Sequence, residues 1–79
     1  MDFETRVRDV ICDVLSLEGD SLSDDSFLAD DLGMTFDDLE ELVTIFQDEY
    51  DIKIPVIDAE EWETVAAVMV YIQEKMDRG

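Results

Sequence analysis

The stretch Asp30-Asp31-Leu32-Gly33-Met34-Thr35-Phe36-Asp37-Asp38-Leu39-Glu40-Glu41-Leu42-Val43 decides how this chain is read. Its second half is a helix start. Leu39, Leu42 and Val43, continued by Phe46 and Tyr50, recur at the three-and-four spacing of one helix face. Thr35 stands where an N-cap hydroxyl can accept from the backbone near Asp38, and Asp37 and Asp38 fall at the positive end of the helix dipole. Pro55 bars a helix from running through Ile54, so this helix is predicted to stop near Tyr50 or Asp51.

Working outward, the same periodicity appears twice more. Phe3, Val7, Val10, Ile11, Val14 and Leu15 mark a first helix, with Gly19 as a stop signal. Val65, Val68, Met69, Ile72 and Met76 mark a last one, with Thr64 as its N-cap. Asp58-Ala59-Glu60-Glu61-Trp62 is placed as one or two short helical turns. No stretch alternates as a half-buried strand does, and no repeat or linker is present. The fold class is all-α. The connection from Glu18 to Thr35 is long for so small a chain, and its Leu22, Phe27, Leu28 and Leu32 are expected to lie against the helices and complete the core.

Composition narrows the chemistry. The 79 residues fit one small domain, and 23 acids against 5 bases give a net charge of −18. Such a chain is repelled by phosphate backbones and anionic lipid, which argues against nucleic-acid and membrane-surface binding. At 47% hydrophobic residues it is too apolar to be disordered. The longest apolar run, Val65 to Ile72, is far short of the roughly 20 residues of a spanning helix, and the charged start is not expected to act as a signal peptide. Histidine is absent, which removes Ser-His-Asp and Cys-His nucleophile systems and His-ligated metals. A lone Cys12 fits a reducing, cytoplasmic setting and a packed thiol.

Catalysis by carboxylates requires a pair whose environments push their pKa values apart, and no pair stands out. The run Asp20-Ser21-Leu22-Ser23-Asp24-Asp25 lacks the glycine and closing glutamate of an EF-hand, so no metal site is expected beyond loose, charge-driven binding of Mg²⁺ or Ca²⁺. No glycine-rich phosphate cradle occurs. The chain is not expected to be an enzyme.

The segment from Asp30 to Val43 resembles the signature of the acyl carrier protein family, in which Asp-Leu-Gly precedes Asp-Ser-Leu-type helix-start chemistry. The resemblance extends over essentially the whole chain: Glu4, Arg6 and Val7, then Asp48-Glu49-Tyr50-Asp51 with Ile54-Pro55, then Trp62-Glu63-Thr64-Val65 with Tyr71-Ile72. It implies a four-helix bundle over residues 1–79, with three main helices, one short helix and a long first loop. It also implies an acyl chain carried on phosphopantetheine, joined by a phosphodiester to a serine at the start of the second helix.

That serine is missing. Counting without gaps from Asp31-Leu32-Gly33, or backward from Glu41-Leu42-Val43, places Phe36 at the serine, Thr35 at the preceding aspartate and Asp37 at the following leucine. A second alignment makes Thr35 the acceptor, at the expense of one residue inserted in the helix and a rotation of about 100° beyond it. The ungapped alignment avoids that rotation, and with it no prosthetic group is expected; the Thr35 alignment leaves phosphopantetheine attachment open. The resemblance further assigns Asp37, Asp38, Glu40, Glu41, Val43, Thr44, Gln47 and Asp48 to a face that meets basic surfaces on carrier-recognising enzymes. No Lys or Arg interrupts the chain from Asp9 through Ile52. The expected function is therefore that of a carrier-like, monomeric interaction protein. A working acyl or aminoacyl carrier using Thr35, and an acidic interaction or cation-binding module unrelated to acyl transfer, are the alternatives.

Overall fold

In the computed structural model, which describes residues 2–17 and 22–78, the decisive stretch opens helix α2 (Phe36–Tyr50). Its N-terminus is a complete capping box: the Thr35 hydroxyl accepts from the Asp38 amide at 3.2 Å, and the Asp38 carboxylate accepts from the Thr35 amide at 3.1 Å. Leu39, Leu42, Val43 and Phe46 form its inward stripe, and the helix ends at Asp51 in the left-handed region, φ 54°. Pro55 then acts as N-cap to the short α3 (Val56–Ala59). That turn begins two residues earlier than the sequence reading placed it, because proline at φ −61° is already set for a helix entry.

Helix α1 (Phe3–Leu15) is capped by Asp2, whose carboxylate accepts from Thr5 at 2.8 Å. It ends earlier than the Gly19 signal implied. Ser16 takes the left-handed conformation, φ 57°, and the Ser16 and Leu17 amides close onto Asp13 and Cys12 carbonyls, a Schellman stop made without glycine. Gly19 itself, like Asp20 and Ser21 of the acidic run, lies outside the described residues. Helix α4 (Val65–Arg78) starts after Thr64, whose hydroxyl accepts from the Ala67 amide at 3.2 Å.

The long connection is bound to the start of α4. The Val65 and Ala66 amides, two of the donors a helix N-terminus leaves unsatisfied, donate to the Ser26 and Asp24 carbonyls, and the Leu28 amide donates to Glu63. An isolated bridge pairs Phe27 with Thr64; the described residues contain no β-strand. Leu22 and Leu28 are buried and Leu32 packs against the buried core, as expected of loop residues that complete it. Phe27 departs from that expectation. It is 46% exposed, because its backbone is held by the bridge and by Asp31 while its ring faces outward. The core joins α1, α2 and α4 through Val7, Ile11, Leu42, Phe46, Val68 and Ile72, and among the described residues the buried set holds no charged or polar residue. The chain is an all-α four-helix bundle.

Candidate functional site

Two turns position the start of α2. The Gly33 amide closes onto the Ala29 carbonyl at 3.1 Å with φ 71°, a left-handed closing residue that suits glycine. Met34 then returns to Leu28, and Thr35 enters the cap. Phe36 is the first helical residue. It is 53% exposed. Asp37 beside it is also exposed, and Leu39 is the first residue of the helix to reach the core. Phe36 borders an open cleft of about 220 Å³ lined also by Met34, Leu39, Ala59, Glu60 and Trp62. The Trp62 indole N–H is buried without a hydrogen-bond partner among the described residues.

The acidic face resolves into two groups. Asp37, Glu40, Glu41, Thr44 and Asp48 are exposed, and their spacing runs along one side of the helix. Val43 is not on that face. At 4% exposed it belongs to the inward stripe, since helical periodicity groups it with Leu39, Leu42 and Phe46. Gln47 is half-buried, and its Oε1 accepts from the Ile54 amide at 2.8 Å, holding the exit of α2. Asp38 is committed to the capping box, and the Thr44 hydroxyl donates back to the Glu40 carbonyl at 3.0 Å. Glu49 bonds Arg6 at 2.8 Å and so ties the end of α2 to α1.

The sequence profile described as "Phosphopantetheine attachment site" matches residues 5–72. The chain belongs to the phosphopantetheine-attachment family. It is 38% identical over 71 residues to the acyl carrier protein of Akkermansia muciniphila, covering 90% of this chain and 89% of that one. It is 35% identical over 75 residues to the acyl carrier protein of Bdellovibrio bacteriovorus, covering 95% and 96%. A third acyl carrier protein, from Clostridium perfringens, is 34% identical over 73 residues, covering 92% and 96%. These relatives are named as carriers, and the family's prosthetic group is phosphopantetheine.

The side chains that open α2 do not match a serine-linked phosphodiester. Between Gly33 and Val43 the one hydroxyl belongs to Thr35, and its oxygen is the helix cap. Phe36 has no atom able to form an ester. Elsewhere, burial pushes the Cys12 thiol up, away from the reactive thiolate. No group of acidic or cysteine side chains among the described residues is arranged to hold a metal ion, and no helix there is long and apolar enough to cross a membrane.

Several contacts that position these elements carry little sequence signal. Arg8 bonds Asp24 of the loop at 3.2 Å and Glu4 at 3.6 Å. The Tyr71 hydroxyl donates to Asp58 at 2.8 Å, linking α4 to α3. Arg6 is among the residues that carry the family resemblance, whereas only the scarcity of cations in so acidic a chain singles out Arg8 in advance.

Proposed function

We propose that this chain is an acyl-carrier-like protein without the prosthetic-group serine. On this reading it acts by binding carrier-recognising enzymes of fatty-acid, polyketide or related thioester pathways. The observation that carries the reading is the start of α2: Phe36 is its first residue, and the Thr35 hydroxyl is engaged by the Asp38 amide. The reading rests on the ungapped alignment, in which Phe36 occupies the serine's place. The exposed Asp37, Glu40, Glu41, Thr44 and Asp48 then supply the partner surface, with Val43 buried beneath them. Partners present basic patches, and the protein acts as a monomer in the cytoplasm. Without an acceptor it competes for, regulates or scaffolds such an enzyme and delivers no cargo.

The rival, a working carrier with Thr35 as acceptor, draws support from one fact: Thr35 is exposed and holds the only hydroxyl near the helix start. Intact mass after incubation with coenzyme A and a phosphopantetheinyl transferase separates the two. We expect the native protein and Thr35→Ser to stay unmodified, Phe36→Ser to gain the prosthetic group, and Phe36→Ser with Asp37→Leu to gain it faster. Modification of the native protein, or of Thr35→Ser but not Phe36→Ser, establishes the rival. Docking is tested separately with a carrier-recognising enzyme. Binding should weaken as the screening length falls from about 10 Å at 0.1 M salt to about 3 Å at 1 M. The triple change Glu40→Lys, Glu41→Lys, Asp48→Lys should abolish it, and unchanged affinity in that variant refutes the docking surface.

A further inference from the structure

Residues Val65 to Ile72 are apolar without a break, and a helix that is apolar on all sides is ordinarily covered on all sides. Here only one side of α4 is covered. Val65, Val68, Met69 and Ile72 are buried, whereas Val70 is 57% exposed and Ala66 and Ala67 are half-buried. Val70 stands between two open grooves. One, about 320 Å³, is lined by Phe3, Ala66 and Met69; the other, about 510 Å³, by Trp62, Ala67 and Tyr71. Carboxylates edge both: Glu4 and Asp24 on the first, Asp58 and Glu61 on the second, and Glu74 on each. Arg8 offsets part of the first rim by pairing with Asp24 and Glu4, and Lys75 lies over the Tyr71 ring at 5.6 Å, so it is the surplus of five rim carboxylates over these two cations that leaves the face negative.

We propose that this outer face of α4 is a docking surface for a cationic amphipathic helix of another protein. Its apolar side chains straddle the Val70 ridge, one row in each groove, and its Lys and Arg side chains meet the acidic rims. Charge chooses the occupant. A second copy of this chain, at net −18, would bring two acidic rims together, and like-charge juxtaposition of that kind is unfavourable. The surface lies on a different helix from the acidic stripe of α2 and does not depend on the function proposed for that stripe.

The test uses a synthetic helical peptide of about 14 residues, leucines at three-and-four spacing and lysines on the flanks, beside a peptide of the same composition with its leucines scattered. Trp62, the chain's one tryptophan, lines the second groove and reports binding by its fluorescence. The amphipathic peptide should bind saturably at one per chain and the scattered one should not. Val70→Gln should weaken binding by about tenfold or more, and Ala66→Gln should shift it in the same direction. Phe36→Gln, at the start of α2, should stay within about twofold of the native protein. Far-UV circular dichroism verifies that the variants fold, which the exposure of Val70 favours. Equal binding of both peptides overturns the proposal in favour of plain charge attraction. So does binding that Val70→Gln leaves intact or that Phe36→Gln abolishes. Val70-dependent self-association of the native protein in sedimentation velocity overturns it in favour of a second copy.

Discussion

Replacing Thr35 by alanine separates two uses of one oxygen. As the N-cap, the hydroxyl accepts from the Asp38 amide at 3.2 Å, and the Asp38 carboxylate answers from the other side at 3.1 Å. Alanine leaves the Asp38 amide without its partner at an exposed site where little packing is lost, so the whole effect is the cap. Removing such a cap costs about 1 kcal/mol, with a range of roughly 0.5–2. In a chain of 79 residues that corresponds to a fall in melting temperature of about 4–8 °C. Thr35→Ser and Thr35→Asp keep a capping oxygen and rank at or above threonine, so both should melt at or above the native temperature. Urea unfolding followed in parallel by far-UV circular dichroism and Trp62 fluorescence gives the free energies. Coincident transitions and an unchanged denaturant slope show that native stability alone has moved. If Thr35→Ala unfolds within about 0.3 kcal/mol of the native protein, the oxygen is not committed to the helix. The main physical ground for denying it an acceptor role then disappears.

Four further outcomes follow from the geometry. Leu28→Ala, at a loop residue with no exposed surface, should destabilise by about 2–5 kcal/mol in urea unfolding, as at a helix-core position. Ser16→Gly should stabilise by about 1 kcal/mol, since it relieves a non-glycine residue at φ 57°, and thermal unfolding would read the gain. The Tyr71 phenol is pushed up to about 12, chiefly by burial and then by its bond to Asp58, so its contribution to stability is complete below pH ~10 and disappears as pH rises toward 12; ultraviolet titration should give Asp58→Asn a lower phenol pKa that remains above 10, burial being the larger cause. Moderate NaCl should raise the melting temperature by screening the self-repulsion of a chain at net −18, and a salt-independent value in a thermal scan would show the charges too dispersed to matter.

The three long helices were legible because each carries an apolar stripe at helical spacing and a conventional cap, Thr35 and Thr64 among them. What the sequence concealed were events in the backbone. The stop of α1 at Ser16 uses a left-handed residue that bears no glycine, so the more obvious Gly19 drew the boundary outward. The docking of the long loop rests on main-chain bonds from Leu28, Val65 and Ala66, which any residue but proline makes alike. Hydrophobicity alone assigns Phe27 to the core, but the position of its backbone in the bridge sends the ring outward. For Val43 the sequence offers two incompatible places, in the apolar stripe by periodicity and on the partner face by resemblance. Periodicity prevailed, because 100° per residue fixes which side of a helix a side chain occupies, whatever its counterpart does in a relative.

Position 36 differs from all of these in that packing demands little of it. Phe36 sits at the first position of α2 with half its surface in water, beside an open cleft. The helix is held by the capping box before it and the inward stripe after it, and neither uses its side chain. Phe36→Ser would therefore forfeit only partial burial of one ring, about 1 kcal/mol, a loss a stable domain tolerates. Bundle stability and acceptor chemistry are thus separable at this residue: the fold places no requirement for a hydroxyl there, and only the attachment reaction would. A chain of this family with phenylalanine at the helix start keeps its bundle and its exposed row of Asp37, Glu40, Glu41 and Asp48 intact. Under the function proposed above, a partner enzyme would meet this acidic row with the Phe36 ring at its edge, in the place the ungapped alignment gives to the acceptor.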